Sequence, residues 1–231
     1  MSRPLWNWPE KYRPSTVGEC ILPKPLKQTF QSFVDAGEIP NVLLVGPPGC
    51  GKTSVALAAI KEIDAEAYVV NGSLNGDIDT LRNEITAFAS TTSLFGGRKY
   101  VVFDEADYLT YKTQPALRTF MEEYAGNCGF ILTANYASKI IPAVQSRCPP
   151  IDFSVTKDDA PGLMLQFFVS LKSILDKENI TYEKQALVSL IGKYFPDYRR
   201  IINLLQIYSM KFGAIDGCII LISGNKNFKP W

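Results

Sequence analysis

The sequence contains no histidine in its 231 residues. That absence removes the commonest metal ligand and the commonest general base, so any chemistry falls to carboxylates, arginines or a bound ion. The five cysteines (Cys20, Cys50, Cys128, Cys148 and Cys218) form no C-x-x-C pair. A zinc ribbon therefore has no support, nor does a disulfide framework at this chain length; reduced thiols in a cytosolic protein are the expectation. Charge of one sign is also lacking: 24 Lys plus Arg stand against 23 Asp plus Glu, a formal net charge of +1. No overall field would draw the chain to nucleic acid, so any DNA contact must be local. No apolar run approaches a membrane span, and Met1-Ser2-Arg3-Pro4 does not open a signal peptide. These absences predict a cytoplasmic, soluble protein with no membrane partner.

What is present is patterned. An apolar share of 46% with 20% charged residues is ordinary for a globular chain, and the length suits one large domain plus a small one. Prolines at 4, 9, 14, 23 and 25 predict an extended opening segment. Helical spacing runs through Leu26, Phe30, Phe33 and Val34 and stops at Gly37. The runs Asn41–Val45, Ala67–Val70, Tyr100–Phe103 and Gly129–Thr133 read as four strands. They alternate with helices over Lys52–Ile63, Ile78–Phe88 and Leu117–Tyr124, the last with Pro115 in its first turn. Alternation of this kind predicts an α/β fold with a central parallel sheet flanked by helices. After Phe153 the strand signal stops, and Leu163–Lys177, Lys184–Phe195 and Tyr198–Lys211 read as amphipathic helices, with Asp197 as an N-cap. The division expected is 1–153 for the α/β domain with its N-terminal arm and 154–231 for a small helical domain. Leu163, Phe167 and their neighbours suit a helical core better than a stacking surface, and Lys226 and Lys229 read as solvated tail residues.

Two segments carry chemistry. Gly46-Pro47-Pro48-Gly49-Cys50-Gly51-Lys52-Thr53 fits G-x-x-x-x-G-K-[ST] and falls where a strand ends and a helix begins. In such a loop, backbone N–H groups around Gly49, Cys50, Gly51 and Ser54 close on phosphate at the helix N-terminus. Lys52 supplies a point charge to the β- and γ-phosphates of ATP, and the Thr53 hydroxyl can ligate Mg²⁺. The second segment, Asp104-Glu105, ends the third strand, where a doubly wound sheet faces its nucleotide. Asp104 can hold Mg²⁺ through water, and with no histidine in the chain Glu105 is the candidate base for the attacking water. A pair of acids capping the next turn is the structural alternative. Asp104-Glu105-Ala106-Asp107 also spells the DEAD-box helicase signature, but those enzymes need two large domains for which this chain is too short.

Glu10-Lys11-Tyr12-Arg13-Pro14, Gly46–Thr53, Asp104-Glu105-Ala106-Asp107, Thr133-Ala134-Asn135 and Ser146-Arg147-Cys148 follow one another in order. That ordered set, running from about Trp8 to about Asn203, resembles the AAA+ ATPases of the sliding-clamp-loader family, the replication factor C-like subunits. The stretch Tyr12–Thr16 followed by Glu19-Cys20-Ile21-Leu22 is similar to the ATPase subunit of T4-like phage loaders.

The resemblance implies specific roles. Asn135 corresponds to sensor 1, an amide that orients the lytic water. Arg147 corresponds to the arginine finger that reaches the nucleotide of a neighbouring subunit, a task suited to a permanently charged, forked donor. Without the Ser-Arg-Cys context a surface ion pair would be the simpler reading of it. Arg199 corresponds to sensor 2, linking the helical lid to the γ-phosphate, with Arg200 its adjacent rival. Pro9, Glu10, Lys11 and Tyr12, with Ile21, correspond to the adenine pocket. The family's loops and helix N-termini hold the backbone of primer–template DNA. The loop Ser73–Asp77 and the helix around Gln114 occupy the corresponding places. Asn75 and Asp77 in that loop make a phosphate contact there doubtful, and Gln114 reads either as part of a DNA-to-ATP coupling or as a solvated helix start. The implied activity is ATP hydrolysis in an assembly with other loader subunits, a sliding clamp and DNA. A non-catalytic ATP-binding scaffold, or another AAA+ remodeller or helicase loader, is the alternative. The family usually carries a further helical collar domain, for which a sequence that stops at Trp231 is expected to leave no room: either the chain is a truncated or split product or the collar function lies elsewhere.

Overall fold

Apolar runs too short to be helices, set between alanine-rich and amphipathic helices, can bury both faces only as strands of a parallel sheet. The computed structural model, which describes residues 6–73, 78–91, 97–111 and 113–224, has that arrangement. Strands β1 (Val42–Val45), β2 (Ala67–Asn71), β3 (Lys99–Asp104), β4 (Cys128–Ala134) and β5 (Pro150–Asp152) form one sheet in the order β2-β3-β4-β1-β5. Every pairing is parallel, with Val45 beside Ala134 and Phe103 beside Leu132. The strand that precedes the glycine-rich loop therefore sits inside the sheet, flanked by β4 and β5.

Alternation along the strands divides the core into two layers. Leu43, Val101, Phe103, Phe130 and Leu132 pack with Ile85 of α4 (Ile78–Ala89) and with Leu117 and Phe120 of α5 (Gln114–Glu123). Val42, Leu44, Val102 and Ile131 pack on the other face with Phe30 of α2 (Lys24–Ala36) and with Val55, Ala59 and Ile60 of α3 (Lys52–Glu62). Strand β5 is a correction to the sequence reading, which ended its strands at Gly129–Thr133. Three residues that begin with proline carry little strand signal, yet at the sheet edge Pro150 needs no N–H on its open side.

The chain separates into two compact units. One is Pro14–Ser154, which holds the sheet; the other joins residues 6–13 to residues 155–224. The arm thus groups with the helices, whereas the sequence division placed it with the sheet. Specific hydrogen bonds explain the difference. Gln206 clamps the arm from both sides: its Oε1 accepts from Trp8 N–H at 3.0 Å and its Nε2 donates to the Trp6 carbonyl at 2.7 Å. Lys11 Nζ lies 2.6 Å from Glu178, which also accepts from the Tyr12 hydroxyl. These two donors, Lys11 first, hold the Glu178 carboxyl below the usual range. The arm is also not wholly extended. Trp8–Lys11 forms a single helical turn, α1, with Pro9 at a position where its missing N–H costs nothing.

In the helical unit, α7 (Ala160–Lys177), α8 (Lys184–Tyr194) and α9 (Tyr198–Phe212) bury Leu163, Phe167, Leu171, Leu187, Leu190, Ile201 and Leu205. Phe167 is core, as its spacing predicts. Asp197 caps α9, its carboxylate accepting from Arg200 N–H at 3.0 Å. A two-residue parallel pairing of β6 (Thr181–Tyr182) with β7 (Ala214–Ile215) and a last helix, α10 (Cys218–Gly224), escaped the sequence reading. Both are too short for a periodic signal. Among the described residues, no helix is long and apolar enough to cross a membrane.

Candidate nucleotide site

The loop after β1 turns back on itself through Gly49 (φ 75°) and Gly51 (φ 95°), left-handed conformations that side chains with a Cβ rarely adopt. Gly51 then caps α3, so that helix begins at Lys52 with its first N–H groups open toward the loop. Lys52 is 8% exposed. Its ammonium donates to the carbonyls of Gly46 (2.7 Å) and Pro47 (2.9 Å) and to Oδ1 of Asn135 (3.1 Å). Parallel register brings about the last contact: β1 and β4 run side by side, and Gly46 N–H donates to the Ala134 carbonyl at 3.2 Å.

One residue further along α3, the Thr53 hydroxyl donates to Oδ1 of Asp104 at 2.7 Å. Asp104 ends β3 and also accepts from the Thr133 hydroxyl, again at 2.7 Å. Thr133 in turn accepts from Glu105 N–H at 3.1 Å. Thr133 belongs to the Thr133-Ala134-Asn135 motif, but the sequence assigns it no role of its own; it lies in β4, whose last residue, Ala134, precedes Asn135. Two hydrogen-bonded groups, Lys52 with Asn135 and Thr53 with Asp104 and Thr133, thus make a polar cluster at the C-terminal ends of three neighbouring strands, the edge at which open α/β sheets bind ligands.

Glu105 adopts φ 57°, ψ 44°, the left-handed region, at a cost of roughly 1–2 kcal/mol for a residue with a Cβ. The turn is possible because residue 72 is glycine: a Cβ there would lie 2.5 Å from the Glu105 carbonyl oxygen. Gly72 N–H donates to the Asp104 carbonyl at 2.8 Å, which ties the end of β2 to this turn. Among the described residues, no group of three or more His, Cys, Asp or Glu could cage a metal. The Thr53–Asp104 pair instead suits Mg²⁺, which keeps most of its shell as water and phosphate oxygen.

The segment that leads away from Asn135 is braced by two glutamines. Gln114, at the start of α5, is 1% exposed. It donates to the Leu109 and Lys139 carbonyls (3.1 and 2.9 Å) and accepts from Ile141 N–H at 2.8 Å. The solvated helix start is thereby excluded; this side chain joins the turn after β3 to the turn after β4. Gln145, in the short helix α6 (Pro142–Gln145), donates to the Ala137 and Ile140 carbonyls. Replacing Gln114 by alanine would leave a buried N–H without its acceptor, and the expected loss of stability is about 2–3 kcal/mol, read from urea unfolding midpoints.

The same segment ends at Ser146-Arg147-Cys148. Cys148 is a buried plug whose Sγ lies 3.7 Å from Met121 Sδ, and burial pushes its thiol up to about 12. Arg147 is half-buried on the surface beside it. Its Nε donates to Glu122 Oε1 at 3.0 Å, its Nη2 also contacts that oxygen, and its Nη1 donates to the Ala143 carbonyl at 2.9 Å.

Two comparisons bear on the family. Residues 42–154 match the ATPase family associated with various cellular activities (AAA), and residues 159–221 match the sliding-clamp-loader large subunit, AAA+ ATPase lid domain. The sliding-clamp-loader large subunit of Escherichia phage RB69 is 42% identical over 220 residues, covering 94% of this chain and 68% of that protein. The chain belongs to the sliding-clamp-loader family of AAA ATPases. Enterobacteria phage T4 has a relative of the same description at 41% identity and the same coverage. Human replication factor C subunit 5 is 38% identical over 215 residues, 90% of this chain and 62% of its own length. Among solved structures, Thermotoga maritima RuvB superposes with a TM-score of 0.67 at 19% identity, over 91% of this chain and 71% of that one, a likeness of fold alone.

In this clamp-loader chain the hydrogen bonds that make the polar cluster, among the described residues, include none of the expected adenine and sensor 2 residues. Ile21 belongs to the sheet-bearing unit; Pro9, Glu10, Lys11, Tyr12 and Arg199 belong to the helical one. Arg199 and Arg200 separate by environment. Arg200 lies over the Tyr194 ring at 4.3 Å, while Arg199, in the first turn of α9, is exposed and pairs with no carboxylate among the described residues. Of the loop Ser73–Asp77, only Ser73 is described, its N–H and hydroxyl both donating to Asn71 Oδ1. Leu74–Asp77 lies outside the described residues, as do Lys226 and Lys229.

Proposed function

We propose that this chain is a motor subunit of a sliding-clamp loader. It binds ATP with Mg²⁺, assembles with other loader subunits so that nucleotide sites fall at their shared interfaces, grips the clamp open, and hydrolyses ATP once primer–template DNA is engaged. The observation that carries this reading is the pair of contacts at the strand ends, Lys52 to Asn135 and Thr53 to Asp104. A lysine, a hydroxyl, a carboxylate and an amide converge there as nucleotide hydrolysis requires.

The roles follow from the chemistry of each group. Lys52 exchanges its carbonyl acceptors for the β- and γ-phosphate oxygens, and the backbone N–H groups of Gly49, Cys50, Gly51, Thr53 and Ser54 cradle the β-phosphate. Thr53 and Asp104 would hold Mg²⁺. Such an ion would supply positive charge to the phosphate oxygens. Glu105 polarises the attacking water and Asn135 orients it. Pro9, Glu10, Lys11, Tyr12 and Ile21 are assigned to the adenine, and Arg199 to the sensor of the helical unit. Arg147 serves the nucleotide of a neighbouring subunit, which makes full turnover a property of the assembly.

The test is to combine the chain with its partner subunits, clamp and primer–template DNA. The expected result is clamp retention that depends on ATP and a turnover that rises when clamp and DNA are added together. Absence of both would leave an ATP-binding scaffold or a different AAA+ remodeller as the better reading.

A further inference from the structure

Arg147 is not a loose surface arginine. A guanidinium has five N–H donors, and here three are committed: Nε–H and one Nη2–H to Glu122 Oε1, and one Nη1–H to the Ala143 carbonyl. One donor remains on each terminal nitrogen, the number that a bidentate phosphate contact uses. The carboxylate that holds it projects from the last turn of α5, in the segment that Gln114 ties to the turns after β3 and β4. The backbone that carries Arg147 is itself fixed by the buried Cys148 next door. Glu122 is shared: Arg118, one helical turn earlier, reaches the same Oε1 at 3.3 Å. The three side chains together keep a formal charge of +1, so one cationic charge faces outward despite the carboxylate.

We infer that Glu122 is the positioning residue of the arginine finger: it holds Arg147 with its outer two donors presented, so that the incoming subunit's nucleotide meets an ordered fork. An unrestrained arginine would have to surrender its rotamer freedom at that moment, a cost comparable to the order of one decade in rate. The carboxylate removes that cost in advance. The same contact draws the Glu122 carboxyl below its ordinary range, with Arg147 the larger cause and Arg118 the smaller. The inference rests on Arg147 acting in trans and adds to it the residue that orients it.

The test uses the assembled loader with clamp and primer–template DNA, comparing Glu122→Ala, Glu122→Gln and Arg147→Ala. In Glu122→Ala, stimulated kcat is expected to fall about tenfold while ATP affinity and KM stay unchanged, because the nucleotide's own loop is untouched. Glu122→Gln keeps an acceptor oxygen and should fall less. In the chain alone, the Nε–Hε resonance of Arg147, assigned with Arg147→Lys, should exchange with solvent more slowly in the wild type than in Glu122→Ala. If Glu122→Ala fails to fold, Glu122→Gln carries both measurements. Undiminished turnover in every folded Glu122 variant would overturn the inference, and so would a rise, which would make the contact a brake. An unchanged Arg147 resonance would overturn it as well. Wild-type turnover in Arg147→Ala would instead remove the trans-finger reading itself, an outcome that the Glu122 variants cannot mimic.

Discussion

Lys52→Ala is expected to abolish measurable nucleotide binding, with ATP affinity falling at least about a hundredfold. Lys52 is 8% exposed, and its ammonium is already oriented by Gly46, Pro47 and Asn135 at 2.7 to 3.1 Å. Charge-assisted hydrogen bonds to phosphate contribute roughly 1.5–3 kcal/mol each, and the lysine can make two, one to each of the β- and γ-phosphates. Nothing else in the cluster supplies that charge, since Thr53 and Asn135 are neutral and Asp104 repels phosphate unless a cation intervenes. Calorimetric titration with ATP and Mg²⁺ checks it. The Gly46 carbonyl left behind is buried, so some loss of stability is expected as well, and the melting temperature measured on the same preparation separates lost binding from lost fold. Affinity within a few-fold of wild type would sink the phosphate-loop reading.

Arg147→Ala is expected to leave ATP affinity within about threefold while lowering clamp- and DNA-stimulated turnover by about a thousandfold, the lower end of what an arginine finger contributes. The two effects separate because Arg147 makes no contact with the polar cluster of its own chain; its partners are Glu122 and Ala143. Stability should change little, because an ion pair with one exposed partner contributes about 0–1 kcal/mol. Steady-state turnover by the assembled loader, set beside nucleotide titration of the same preparation, distinguishes this from a general defect. Full stimulated turnover in the variant would show that the residue is the ordinary surface pair its contacts also describe.

Local chemistry was the part of this protein legible in sequence. Gly51 must take a positive φ to start α3, Asp197 is a good cap because its carboxylate reaches back to Arg200 N–H, and four apolar runs between helices leave few options but a parallel sheet. Where local signals are weak, the reading failed for the same physical reason each time. Strand β5 is three residues with a proline and exists because β1 offers it an open edge. Helix α1 is a single turn and exists because Gln206 accepts from its first N–H. The reading of Gln114 stayed open because the sequence around it says nothing of burial; three partners distributed over two distant turns exclude solvent from it.

The sequence by itself determined that a nucleotide loop is present, since glycines, lysine and threonine at fixed spacing are enough to build one wherever a strand meets a helix. It also held the ordered motifs that mark the clamp-loader family. Only the tertiary structure decided that Thr133 joins Asp104, that the N-terminal arm is fastened to the helical unit through Glu178 and Gln206, and that Glu122 holds Arg147. Each of these contacts joins residues that are 25 to 200 positions apart. Spacing along a chain specifies which groups share a turn or a face, whereas partners at such separations are chosen by the register of the sheet and the packing of whole helices.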